Sequence, residues 1–148
     1  MPIHASCIAI DGAGILLRGP SGSGKSDLAL RLIDGGAILV ADDQVELEVI
    51  GGVLFAHPPE VLAGKIEARG IGILENMPWH RAPVALTVDL VAREDVERLP
   101  PARTCTIVGV DLPCVQLAPF ETSTPAKIRA LLVSLEGNCS TRDSISQS

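Results

Sequence analysis

The chain has 148 residues, 47% of them hydrophobic, with only 14 Gly and 11 Pro. That composition excludes disordered, collagen-like and fibrous classes and suits one domain with a sizeable core. Twelve basic and eighteen acidic residues leave a net charge of −6. Binding a nucleic-acid backbone needs a basic stripe, so nucleic acid is excluded as the main partner, while a nucleotide, which needs only a few aimed donors, is not. Aromatic residues are scarce (Phe55, Trp79, Phe120) and offer no platform for stacked bases. No apolar run approaches the ~18 residues of a membrane span. Met1-Pro2-Ile3-His4 carries no basic region ahead of an apolar stretch, so a cytoplasmic location without membrane contact is expected. Cys7, Cys105, Cys114 and Cys139 show no CxxC spacing and read as free thiols.

In chain order, residues 3–10 form a β-rich run that turns at Asp11-Gly12-Ala13-Gly14 and returns through Ile15-Leu16-Leu17-Arg18, which predicts a hairpin. A Gly/Ser-rich segment over 19–24 follows. From Lys25 the apolar period becomes helical, with Leu28 above Leu32 and Ala29 above Ile33, until Gly35-Gly36 stops it. Residues 37–41 predict a short buried strand ending in Asp42-Asp43. Residues 45–49 and 53–55 predict a second hairpin around Gly51-Gly52.

Beyond Pro58-Pro59, residues 66–69 and 71–74 read as short strands joined through Gly70. Residues 84–91 and 106–110 predict two more strands. A helix is predicted over 124–135, where Ile128, Leu131, Leu132 and Leu135 share a face and Pro125 suits the first turn. Residues 137–148 are polar and Ser-rich and read as a disordered, frayed tail. The sum is a single strand-rich α/β domain over residues 1–136.

The chemistry concentrates in Gly19-Pro20-Ser21-Gly22-Ser23-Gly24-Lys25-Ser26, a full match to G-x-x-x-x-G-K-[ST] placed after a predicted strand and opening a predicted helix. Glycines in such a loop let backbone N–H groups converge on phosphate oxygens, and the helix N-terminus adds a favourable dipole. Lys25 would reach the β- and γ-phosphates and the Ser26 hydroxyl would ligate Mg²⁺. Asp42 and Asp43 end a buried strand, where carboxylates meet a nucleotide's metal. Two adjacent acids suit divided work, one near the metal and one as base for an incoming hydroxyl, and the residues alone leave open which is which.

Four elements in order carry a resemblance to the catalytic domain of HPr kinase/phosphorylase. His4 stands 22 residues before Ser26; the loop reads GPSGSGKS with Asp27 following; the strand ends Leu39-Val40-Ala41-Asp42-Asp43; and Ile66-Glu67-Ala68-Arg69-Gly70-Ile71-Gly72-Ile73-Leu74 is similar to the family's signature stretch. The resemblance runs from about His4 to Leu74 and thins afterwards.

It implies an α/β P-loop nucleotide-binding architecture of the HPr kinase and PEP carboxykinase-like type, and an ATP- and Mg²⁺-dependent serine kinase acting on the phosphocarrier protein HPr. Residues 19–26 would hold the nucleotide, with Lys25 catalytic. Ser26 and Glu67 would ligate Mg²⁺, Asp43 would serve as base, and His4 would join the active-site set. Arg98, in Val96-Glu97-Arg98-Leu99-Pro100, resembles the family's catalytic arginine. A homo-oligomer, hexameric in the family, is also implied. The family's Pro-Gly-Arg segment, tied to its dephosphorylation reaction, is replaced here by Leu117-Ala118-Pro119-Phe120-Glu121-Thr122-Ser123, so a weak reverse phosphorylase reaction is expected. Two other classes fit the motifs: a small-molecule or carboxykinase-like phosphotransferase, and a non-enzymatic ATP-sensing module.

Overall fold

The computed structural model describes residues 2–147, with side chains through residue 136. The elements are β1 (Pro2–His4), β2 (Ser6–Ile10), β3 (Ala13–Arg18), α1 (Lys25–Asp34), β4 (Ile38–Ala41), β5 (Gln44–Ile50), β6 (Val53–His57), β7 (Ile66–Ala68), β8 (Gly72–Leu74), β9 (Ala82–Leu90), β10 (Arg103–Ile107), β11 (Val110–Leu117) and α2 (Thr124–Gln147). The frayed tail expected over 137–148 lies outside the residues whose side chains are described.

One nine-stranded sheet runs in the order β1-β5-β6-β9-β3-β2-β4, with β11 also paired to β9 and β10 to β11. Strand β9 pairs parallel with β3 on one side and parallel with β11 on the other. The carboxyl ends of β3, β9 and β11 therefore open on one edge, where open α/β sheets place their ligands. Strands β7 and β8 form a separate small hairpin.

The central strands are buried on both faces, which is why they read as continuous apolar runs rather than alternating ones. Cys7, Leu16, Val40 and Val84 point into one core with Leu47 and Leu54. Their neighbours Ile8, Ile15, Leu17, Leu39 and Leu86 point into the other, beneath Leu28 and Leu32 of α1 and Ile128 and Leu132 of α2. The helices thus cover one face and the β5–β6 hairpin folds over the other. The sheet is tight enough that a Cβ on Gly14 would stand 2.9 Å from the Pro83 carbonyl oxygen.

Two expectations change. The run over residues 3–10 breaks at Ala5, leaving β1 to pair with β5 and β2 with β3 and β4. The strand expected over 106–110 instead straddles a hairpin turn: Ile107 faces Val110, and Val108 and Gly109 take φ of 49° and 77° between them. Two positive φ values are what a type I′ hairpin turn requires. Gly109 supplies one freely, whereas Val108 is β-branched and adopts it against its own preference. Its apolar side chain disguised the turn as strand, and β11 beyond it went unforeseen.

Candidate active site

The loop between β3 and α1 enters the helix through Gly24, in the left-handed region at φ 99°, with no side chain capping the first turn. The first N–H groups of a helix have no partner within it, so α1 presents free donors at the loop. Gly22, at φ 82°, has open space where a Cβ would stand. The Ser23 hydroxyl is buried without a hydrogen-bond partner. Lys25 is 6% exposed and turns back over the loop, donating to the carbonyls of Gly19 at 2.6 Å and Pro20 at 3.0 Å. Burial pulls its pKa down, against the opposing pull of Asp43 and Asp42.

Asp42 and Asp43 follow β4 and diverge. Asp42 is buried, and its carboxylate accepts from Ser26 Oγ at 2.8 and 3.0 Å, Ser6 Oγ at 2.6 Å and the Glu67 backbone N–H at 3.0 Å. Asp43 adopts φ 71°, which swings its carboxylate outward to meet His4 Nε2 at 3.1 Å. His4 ends β1, and its pairing opposite Gln44 of β5 sets it beside the acid pair.

A cleft of about 250 Å³ gathers these groups: Lys25 and Ser26 on the loop, His4 and Asp43 on one rim, Glu67 and Arg69 from β7 and the turn after it. Ser21, Gly22 and Gly24 of the loop, with Asp27 and Phe120, complete the lining. Of the expected residues, Gly19, Pro20 and Ser23 of the loop and Arg98 do not line this cleft. Arg98 is exposed between β9 and β10. The side-chain cations of the cleft, apart from His4, are Lys25 and Arg69.

Three participants escaped sequence reasoning. Ser6 reaches Asp42 only because β2 lies beside β4. Phe120 carries no motif; its ring lies over Gly24, where an added Cβ would stand 2.7 Å from it. Arg69 lies within the signature stretch, which by itself assigns it no role.

The groups present fit a magnesium-bound nucleoside triphosphate. Free helix donors, an unpartnered buried hydroxyl and a lysine suit phosphate oxygens. Mg²⁺ is an ion held through one or two carboxylates plus substrate phosphates. Ser26 and Glu67, with Asp42 beside them, are the oxygen-bearing side chains that would hold such an ion.

The family model for the HPr Serine kinase C-terminal domain matches residues 1–129. The chain belongs to this family. Similar curated proteins include the HPr kinase/phosphorylase of Bordetella pertussis, 40% identical over 109 residues, covering 66% of this chain and 35% of that protein. Another is the HPr kinase/phosphorylase of Clostridium acetobutylicum, 47% identical over 73 residues, covering 49% of this chain and 24% of that one. The chain thus spans about a quarter to a third of the length of the curated relatives it matches. The solved structure of the Hpr(Ser) kinase/phosphatase from Coxiella burnetii superposes with a TM-score of 0.83 at 30% identity, covering 97% of this chain and 95% of that one. The strand-rich α/β domain expected from the sequence is therefore the fold of this family. Among the described residues no helix is long and apolar enough to cross a membrane.

Proposed function

We propose that this domain is an ATP- and Mg²⁺-dependent serine kinase whose acceptor is the phosphocarrier protein HPr, working in the cytoplasm. The observation that carries the reading is the split of the acid pair: Asp42 bound to the loop serine, Asp43 turned into the cleft beside His4. A protein that only sensed ATP would need no carboxylate so placed.

Lys25 exchanges its carbonyl contacts for the β- and γ-phosphate oxygens and neutralises the charge that develops on them. Asp42 fixes Ser26 Oγ, and with Glu67 it sets the oxygen donors for Mg²⁺. When bound, the ion would supply charge neutralisation at the phosphates. Asp43 accepts the proton of the acceptor serine as its Oγ attacks the γ-phosphorus. The bond from that phosphorus to the β–γ bridging oxygen breaks, and ADP leaves. His4 holds the Asp43 carboxylate toward the acceptor. Positioning and charge stabilisation supply most of such a reaction's acceleration. Arg98 lies outside the cleft and is assigned no step. The homo-oligomer is carried over from the resemblance, and sedimentation of the purified domain tests it.

The reading is tested by offering purified HPr and a panel of small hydroxyl and carboxylate acceptors with ATP and Mg²⁺. Phosphate on HPr supports it; phosphate on a small acceptor alone favours the carboxykinase-like class; tight ATP binding with no transfer favours a sensor.

A further inference from the structure

Strand β4 carries one residue more than β2 where the two pair: Cys7 faces Ala41, but Ile8 faces Leu39. Successive strand residues point to opposite faces, so one extra residue flips every side chain beyond it. Leu39 points into the core beneath α1, whereas Val40 and Ala41 both turn to the opposite core. Asp42, next in the chain, therefore returns to the α1 face, where the phosphate loop stands. In an unbroken strand it would point away from the loop.

Ser6 meets it there. Ser6 shares a face of β2 with Ile8 and lies opposite Leu17 of β3, both of them core residues beneath α1. Its side chain is fully buried in these surroundings, and its hydroxyl donates to Asp42 Oδ1 at 2.6 Å. Ser26 donates across both carboxylate oxygens and the Glu67 N–H donates to Oδ2. An ionised carboxylate offers about four lone-pair sites, so donors of the protein nearly fill those of Asp42. A hydroxyl has a single proton. Ser26 directs its own to Asp42, which leaves its lone pairs free for a cation.

We propose that Ser6 is a positioning residue for the Mg²⁺ of the phosphate donor, acting through Asp42 on Ser26. The proposal deepens the kinase reading above and rests on it. Fully buried and not among the residues lining the cleft, Ser6 is not itself a ligand. Its hydrogen bond and that of the Glu67 N–H fix the carboxylate on both oxygens, and the fixed carboxylate sets the direction of the Ser26 hydroxyl. Without the Ser6 hydroxyl a buried lone pair of Asp42 loses its donor, the carboxylate is free to rotate, and Ser26 Oγ is no longer held in line for the ion. Outer partners of this kind set metal affinity by about 10–100-fold.

The test compares Ser6→Ala with Ser6→Thr, which keeps the hydroxyl. ATP binding is titrated for both variants and the wild-type domain, once with excess Mg²⁺ and once with EDTA, and urea melts are recorded without nucleotide. For Ser6→Ala the expected result is ATP affinity lowered by about tenfold with Mg²⁺ and held within about twofold in EDTA. Ser6→Thr should stay within about threefold of wild type in both conditions. A lowered urea midpoint with the Mg²⁺ dependence of wild type is what a merely structural hydroxyl gives, and it overturns the proposal. An equal loss with and without Mg²⁺ overturns it too, as does a Ser6→Thr protein as impaired as Ser6→Ala. Failure of the wild-type domain to bind ATP overturns the kinase reading itself, and this proposal with it.

Discussion

Asp42 and Asp43 are neighbours in the chain that face different environments: one is buried against Ser26, Ser6 and the Glu67 backbone, the other reaches into the cleft against His4. The positive φ of Asp43 produces the divergence. Asp tolerates that conformation better than most residues, so two adjacent carboxylates can do different work.

Substitution separates the two. Asp43→Asn keeps shape but cannot take a proton, and transfer should fall by about 10²–10⁴-fold with ATP affinity little changed. Asp42→Asn puts an amide donor among three donors, so it should lose Mg²⁺-dependent binding and about 1–3 kcal/mol of stability. Transfer rates, nucleotide titrations and urea melts read the difference. An Asp43→Asn protein that keeps its rate and loses Mg²⁺ binding would exchange the two roles.

Lys25→Ala removes the ammonium that the loop aims at the phosphates, so transfer should be abolished and ATP binding weakened. The melting temperature should change little, since among the described residues the hydrogen bonds of Lys25 go to carbonyls of its own loop. A folded variant with an unchanged rate would end the phosphate-loop account.

The reverse reaction needs inorganic phosphate held in line, and guanidinium or backbone donors are the groups that hold it. Here the segment in the place of Pro-Gly-Arg carries Glu121, already paired with Arg93 and Lys127. Serine-phosphorylated HPr incubated with millimolar phosphate should release pyrophosphate far more slowly than the forward reaction runs. Release at a comparable rate would mean that another cation, with Arg69 in the cleft the first candidate, fills the role.

Cys7 is buried in the core, which pushes its thiol up to about 12 from an ordinary 9.0. An acid whose pKa is raised by folding contributes stability that is complete below its unfolded pKa and is lost as pH rises through the folded one. Urea midpoints should therefore fall between about pH 9 and 12, and Cys7→Ala should flatten part of that decline. Cys114, raised in the same direction first by burial and then by Asp89, should retain a share of it. Equal pH profiles for wild type and Cys7→Ala would contradict the assignment.

Much of the architecture was legible because local signals agreed with the fold. The Asp11-Gly12 and Gly51-Gly52 pairs are two-residue turns with positive φ, and Gly35-Gly36 ends α1 where expected. The phosphate loop and acid pair were readable because their spacing is their chemistry. What stayed hidden depends on tertiary placement. Val108 sits in a turn its own propensity opposes, so β11 was missed. Ser6 acquires its partner from Asp42, just past β4 and 36 residues away. Phe120 reaches the cleft from the loop after β11, which only sheet topology brings there. Arg98, chosen by likeness to a short motif, shows the converse: local sequence carried it toward a site that the fold does not place it in.

The kinase account is tested most directly by incubating the purified domain with γ-labelled ATP, Mg²⁺ and purified HPr, then locating the label. The account predicts label on one serine of HPr, lost with Lys25→Ala and strongly reduced with Asp43→Asn. ATP bound tightly with no label on HPr, or label on HPr that persists in the Lys25→Ala protein, would contradict it.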